Sequence, residues 1–403
     1  MGGLTTVKGA LAGTRIVEWS SGRPAAYAGK LLRGLGAEVT ILEEDGVRIG
    51  AFAPGPVPGA AKQFEARTRF LHGGKRSAAF DPSATASREL ARALLSKADI
   101  LVMDQHLPAA KQAGMSPEEL QKQFPRLIIV SISLAGPGES ARNLRYSDLV
   151  AHAISGIAFG TPSRVPDIET HPPLKPGGYQ ADYSCGLHAA IAALLGLQLR
   201  RRTDTGQLVH ISALEMLASY MRIDIAYLTY GAATAATASG GDRQSPTGRF
   251  STIWGLVPCK DGYYAFQASE QYQWASLMKT MGDPEWAKDP RYADPTNRTL
   301  LWDEIEPHVV EWSMAHSKAD IFHTAQANHV PVFPCYTVEE LINDRQQSAR
   351  AFFTSLPDGE MDNLVRVPGA IVHLERTPWR PSFEPPAYGE HTAEVTRELE
   401  SAG

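Results

Sequence analysis

The sequence predicts an α/β fold, with a Rossmann-like large domain and a smaller α+β domain. Three observations lead there. Over the first 135 residues, short apolar runs alternate with helical patterns, as in βαβ units stacked around a mostly parallel sheet. The length of 403 residues exceeds what one core usually covers. A stretch rich in Ala, Thr, Ser and Gly at 231–248 then separates this half from a differently patterned segment.

Strands are expected at Arg15–Trp19, 38–42, 77–80, Ile100–Met103 and 127–131, with helices at 25–35, 86–97 and Pro117–Gln123 between them. Ser116 occupies the N-cap position of the third helix and Glu119 follows three residues on, the pattern of a capping box. Residues 162–178 are rich in Pro and Gly without periodicity and read as a loop. A strong helix follows, starting after Asp182 and running to Arg200-Arg201-Arg202, where cations suit the negative helix end. A second helical stretch covers 214–229. Residues 250–258 and 262–268, joined by Cys259-Lys260-Asp261-Gly262, form a hairpin followed by helices near 274–281 and 302–315. Beyond Val330, short proline-punctuated elements suit a segment that packs back on the first domain. The expected division is 1–220 with 330–403 as the large domain, 221–250 as linker and 251–329 as the small domain.

Composition narrows the function. A formal charge of -5 gives no global attraction to polyanions, so nucleic acid is not an expected partner. No tract has the apolar length of a membrane span, and the N-terminus has no apolar segment of a secretory signal, so a cytoplasmic protein is expected. Cys185, Cys259 and Cys335 are too few and too scattered for a disulfide framework. The twelve histidines show no metal-ligand spacing, and no metal is expected. The first βα turn, Ser20-Ser21-Gly22-Arg23-Pro24, cannot be fitted to G-x-G-x-x-G, although Glu43 sits where a Rossmann acid would hold a ribose. A Walker pattern and a G-x-S-x-G elbow are also missing from the chain.

Two features remain open on residue chemistry alone. Gly73-Gly74-Lys75-Arg76 is either a solvated turn or a place where two cations and free amides meet a phosphate. Asp182, just before a helix, is by default an N-cap. The same helix terminus would lower its pKa, and nearby N–H groups could stabilise an oxyanion if it attacked a carbonyl.

The ordered motifs go further. Leu11-Ala12-Gly13-Thr14-Arg15-Ile16-Val17-Glu18, Leu35-Gly36-Ala37-Glu38-Val39 ending in Glu43, Lys75-Arg76-Ser77, Ala98-Asp99-Ile100 and Pro125-Arg126-Leu127-Ile128 come first. Tyr146-Ser147-Asp148-Leu149, Ala181-Asp182-Tyr183 with Gly186, Gly206-Gln207 with Ile211-Ser212, Lys260-Asp261-Gly262, and Asp289-Pro290-Arg291 before Arg298 follow. Together they resemble the class III CoA-transferase family, also called CaiB/BaiF, over nearly the whole chain.

That resemblance implies a coenzyme A transferase with no permanently bound cofactor, its CoA thioester being the substrate. It also implies an interlocked dimer, either a homodimer or a heterodimer with a paralogous subunit. It makes Asp182 the covalent nucleophile, and Arg23, Tyr27, Gly240 and Gly241 contacts of the acyl or acid substrate. Leu71, Lys75, Arg76, Gln105, His106 and Lys111 become the expected contacts of CoA. Departures bear on substrate: Asp104-Gln105-His106 stands where the family commonly has Glu-Asn-Phe, and Arg23-Pro24-Ala25 puts a cation in the first turn, which suits an acidic acyl group. Two alternatives within the fold are a 2-methylacyl-CoA racemase and a non-catalytic CoA-binding subunit. Ser147 replaces the histidine that the racemase needs before its aspartate, and the presence of Asp182 weighs against the second.

Overall fold

The structure, a computed structural model, describes residues 8–20, 22–46, 60–104, 107–137, 144–161, 170, 172–222, 225–226, 254–268, 270–358 and 361–401. Two compact units emerge, one from 1–155, 175–220 and 348–403, the other from 156–174 and 221–347.

In the first unit, strands β1 (Arg15–Trp19), β2 (Glu38–Glu43), β3 (Arg76–Ala79), β4 (Ile100–Met103), β5 (Ile128–Ser133) and β6 (Leu208–Ser212) form one sheet in the order β3-β2-β1-β4-β5-β6. Every pairing in it is parallel. This is the doubly wound order, whose ligand crevice opens at the carboxyl ends of the strands, where the strand order reverses between β1 and β4. The helices are α1 (Arg23–Gly34), α2 (Ala60–His72), α3 (Thr85–Lys97), α4 (Leu107–Gln112), α5 (Pro117–Gln123), α6 (Asp148–Ile154), α7 (Gln180–Thr203) and α8 (Ala213–Tyr220). The central strand β4, Ile100-Leu101-Val102-Met103, is continuously apolar and wholly buried, as a strand covered on both faces should be. One core joins Val17, Leu101, Met103 and Ile129 with Leu95 of α3 and Leu120 of α5. Ser116 makes the expected capping box with Glu119.

Helices α1 and α7 pack along each other, and α7 also lies on β5. A small residue permits the α1–α7 closeness, since a Cβ on Gly186 of α7 would stand 2.6 Å from the Pro24 carbonyl; Gly29 of α1 likewise admits Glu18 of β1, whose Oε2 would stand 1.9 Å from a Cβ there. The buried face of α7 is Ala181, Asp182, Cys185, Gly186, Ala189, Ala190, Ala192, Ala193 and Gly196. Its large apolar side chains, Leu187, Ile191, Leu195 and Leu199, point outward and are exposed.

The second unit holds β7 (Trp254–Cys259), β8 (Gly262–Gln267) and β9 (Val332–Pro334) in an antiparallel sheet, with α9 (Gln271–Thr280), α10 (Pro295–Leu300), α11 (Trp302–Met314), α12 (Lys318–Ala327) and α13 (Val338–Asn343). Tyr264, Phe266, Trp274, Ile305 and Ile321 are in its core. Arg298 is buried there, donating to the Tyr292 carbonyl at 2.8 Å and Gln271 Oε1 at 2.9 Å. The boundary expected at 330 moves to 347, because β9 hydrogen-bonds to β8 and Glu340 pairs with Lys318 of α12. Residues 156–174 join this unit too, and most of the expected linker at 221–250 lies outside the described residues. After α14 (Arg345–Ala349), the chain forms the hairpin β10 (Phe353–Asp358) and β11 (Met361–Pro368). It then ends in α15 (Thr392–Glu400), tied to β3 by Thr392 Oγ1 on the Ala79 amide at 2.9 Å.

Candidate active site

Two helix N-termini meet at the carboxyl edge of the sheet, and neither is capped by its own residue. The N-cap of α1 is Gly22, so the cap comes from Asp104, just past β4, whose Oδ2 accepts the Ala25 amide at 3.1 Å. The N-cap of α7 is Tyr179, which supplies no side-chain bond. Here Asp148 Oδ1, from the start of α6, accepts the amides of Ala181 at 2.9 Å and Asp182 at 3.3 Å. These are the orphan donors that every helix start must satisfy.

Asp182 is therefore not the cap that its sequence position suggested. The helix begins at Gln180, two residues before it, and the capping acceptor is Asp148. Asp182 is 2% exposed. Its Oδ2 accepts from Arg23 Nη1 at 3.2 Å, its buried Oδ1 takes no bond from a backbone amide, and the Tyr146 hydroxyl reaches the carboxylate. The Arg23 guanidinium lies 3.7 Å from the centre of the Tyr179 ring, which fixes its plane. The Tyr146 hydroxyl stands between Asp182 and Cys185, donating to Cys185 Sγ at 3.9 Å.

The electrostatics also depart from the sequence expectation. Burial pushes the Asp182 carboxyl above the ordinary carboxylate range, the neighbouring Tyr146 hydroxyl pulls it down, Asp148 pushes it up again, and Arg23 pulls down. The helix amides expected to lower it and to serve an oxyanion are already engaged by Asp148. Burial raises Tyr146 well above its ordinary value, so its hydroxyl stays protonated. Burial likewise pushes the Cys185 thiol up to about 12, which fits a packed cysteine rather than a nucleophile.

Of the other expected residues, Tyr27 does come close. Its ring meets Tyr183, next to Asp182, edge-on at 4.9 Å and stacks with Phe70 at 6.4 Å. Leu71 is buried in the cluster behind these rings. The Lys75 ammonium has no exposed surface; it donates to Glu18 Oε2 at 2.6 Å and to the Ala26 carbonyl at 2.8 Å. Arg76, at the amino end of β3 and so at the far edge of the sheet, pairs with Glu398 at 3.0 Å and Glu394 at 3.5 Å. In the chain without ligand, Leu71 is thus core, Lys75 a buried ion pair and Arg76 a tie to α15. Lys111 is exposed on α4. Gln105, His106, Gly240 and Gly241 lie outside the described residues.

Sequence reasoning missed Tyr146, Asp148, Lys175 and Tyr179 as site residues. The first two stood in one of the ordered motifs without a role, and Lys175 lay in a loop read only as a connection. Lys175 Nζ is 2.8 Å from Asp148 Oδ2. Ser147, in the place of the racemase histidine, caps α6 by accepting the Val150 amide at 3.2 Å. Among the described residues no group of three or more His, Cys, Asp or Glu could hold a metal ion, and no helix is long and apolar enough to cross a membrane.

Comparison with known proteins agrees with this fold. The model of CoA-transferase family III matches residues 11–392, and the chain belongs to that family. A formyl-CoA:oxalate CoA-transferase of Streptomyces avermitilis is 25% identical over 397 residues, covering 96% of this chain and 94% of the relative. The alpha subunit of a succinyl-CoA–L-malate CoA-transferase of Chloroflexus aurantiacus is 27% identical over 400 residues, covering 96% and 88%. In fold, the chain is similar to the crystal structure of a CaiB/BaiF family protein from Brucella suis, with a TM-score of 0.77, 24% identity, and coverage of 97% and 100%.

Proposed function

We propose that the protein moves CoA from an acyl-CoA donor to a carboxylic acid acceptor, with Asp182 as the covalent relay. The observation that carries this reading is a buried carboxylate, held through one oxygen by Arg23 and free of backbone amides at the other, at the position that the family resemblance gives to the nucleophile. Asp182 attacks the thioester carbonyl; the C–S bond breaks and CoA leaves as thiolate, giving a mixed anhydride. The thiolate attacks the Asp182 carbonyl, releasing the donor acid and leaving an aspartyl-CoA thioester. The acceptor carboxylate attacks that thioester, forming a second anhydride and freeing the thiolate. Attack of the thiolate on the acceptor acyl carbon forms the new acyl-CoA and restores Asp182. No net proton is consumed, and the thioester free energy is retained.

Arg23 balances the carboxylate charge in the resting state and that of the acid during exchange, and it favours an acidic acyl group. The protonated Tyr146 hydroxyl donates toward the oxyanion formed on the aspartyl carbon. Lys111, with Gln105 and His106 just past β4, is assigned to the nucleotide end of CoA. The outward apolar stripe of α7 supports a partner chain, identical or paralogous, the second case prompted by the relative named as an alpha subunit. The test is mass spectrometry after incubation with a panel of acyl-CoAs and hydroxylamine. A hydroxamate or CoA adduct on the Asp182 peptide is expected, and full transferase activity in Asp182→Ala would sink the reading.

A further inference from the structure

We infer that Asp148 is a positioning residue for Asp182: its carboxylate occupies the first amides of α7 and so keeps the Asp182 carboxylate off them, with one oxygen available to attack. This rests on the reading of Asp182 as the acylated group.

A carboxylate in the first turn of a helix is drawn to the free amides there, where charge and hydrogen bonding both favour it. Asp182 is the third residue of α7, and an aspartate so engaged is a weak base and a poor nucleophile. Asp148 takes over that role from outside the helix, its Oδ1 meeting the Ala181 and Asp182 amides at 2.9 and 3.3 Å. Asp148 is itself fixed. Its Oδ2 lies 2.8 Å from Lys175 Nζ and 3.6 Å from His152 Nδ1. Lys175 also donates to the Pro176 carbonyl at 2.9 Å and to that of Gly178, in the segment entering α7. One lysine thus anchors the surrogate cap and the loop that precedes the helix. The result is that Asp182 Oδ1 is buried yet takes no backbone amide.

The charged and titratable groups facing Asp182 are Arg23 from α1, Tyr146 and Asp148 from the start of α6 and the segment before it, and Tyr183 and Cys185 from α7. Lys175 and His152 stand behind Asp148. Of these, only Asp148 can be changed to an isostere that keeps an acceptor for the amides and removes a like charge beside Asp182.

The test compares Asp148→Ala and Asp148→Asn in the full chain, reading hydroxylamine trapping on Asp182, kcat, acyl-CoA KM, the pH profile and the crystal structure. Asp148→Ala is expected to lose about 30-fold or more in kcat and in trapping rate with KM changed less than about 3-fold, the signature of lost positioning. In its structure the Asp182 carboxylate turns onto the α7 amides. Asp148→Asn recovers much of the rate, and its acid limb moves to lower pH because one upward push on Asp182 is gone. Wild-type trapping in Asp148→Ala, or Asp182 unmoved in its structure, overturns the inference. If Asp148→Ala fails to fold, an unmoved acid limb in Asp148→Asn does so. A wild-type protein that traps nothing on Asp182 overturns the nucleophile reading alone, and the Asp182 orientation in Asp148→Ala still decides this one.

Discussion

Asp182 carries a strain that the fold retains. Because burial holds its carboxyl above the ordinary range, the folded chain binds that proton more tightly than the unfolded chain does. The corresponding stability is fully present below the ordinary carboxylate pKa and is lost as pH rises through the raised value, so ionised Asp182 is a cost at neutral pH. Asp182→Asn is therefore expected to melt no lower than wild type at pH 7.5, with a gain of roughly 2 °C, while transfer falls by about 1,000-fold or more. Calorimetry and a steady-state assay check both halves; a clear loss of melting temperature would show that the carboxylate is structural. Arg23→Gln, which keeps length but removes the balancing cation, is expected to lower kcat by about 100-fold and weaken dicarboxylic acceptors more than monocarboxylic ones. Equal losses across acceptors would leave Arg23 without a role in recognition. The role proposed for Asp182 comes from Ala181-Asp182-Tyr183 and Gly186 in their ordered setting. Its surroundings were not legible there: the acceptor that caps α7 lies 34 residues earlier, and Lys75, which reads as a free cation beside two glycines, is neutralised by Glu18 57 residues away. Chain order gives no distances between side chains so far apart.

Among the elements, α1 and α7 determine the site, because Arg23 and Asp182 reach each other only if the two helices lie close. Gly186 faces α1, where a Cβ would stand 2.6 Å from the Pro24 carbonyl and 3.0 Å from Tyr27 Cβ, and the backbone atom cannot swing aside. Gly186→Ala is expected to cost about 1–3 kcal/mol of stability by overpacking. It is also expected to reduce kcat at least about 10-fold by shifting α7 against Arg23. Thermal melting and transfer assays on one preparation separate these effects, and wild-type kcat in a destabilised Gly186→Ala would contradict the geometric link. The strands legible in sequence were those with uninterrupted apolar runs, such as Ile100–Met103. The edge strand β6, Leu208–Ser212, was not read as a strand, since a histidine interrupts a run only five residues long. Helix α2 was missed as well, because Lys62, Gln63, Glu65, Arg67 and Arg69 break its apolar stripe.

At the scale of the molecule, the chain passes between its two units at 155, 174, 220 and 347, so neither is a contiguous segment. The mixed α/β class and its doubly wound sheet followed from apolar periodicity, whereas the boundary at 347 depends on β9 pairing with β8, a partnership set by hydrogen bonds 65 or more residues apart along the chain. The polarity of α7 bears on assembly. A solvent-facing helix normally buries its large apolar residues and exposes polar ones, yet α7 buries alanine and glycine and exposes Leu187, Ile191, Leu195 and Leu199 at four-residue intervals. Apolar side chains so aligned form a continuous stripe that water disfavours and a second chain would cover. Ile191→Glu with Leu195→Glu is expected to halve the mass measured by light scattering, because burying two carboxylates without partners costs more than the remaining apolar stripe can offset. Transfer should fall with the mass, since the proposed anhydrides would require a site closed to water. A double variant that keeps both wild-type mass and activity would place the partner surface elsewhere. One that loses mass but keeps activity would show that a single chain completes the site.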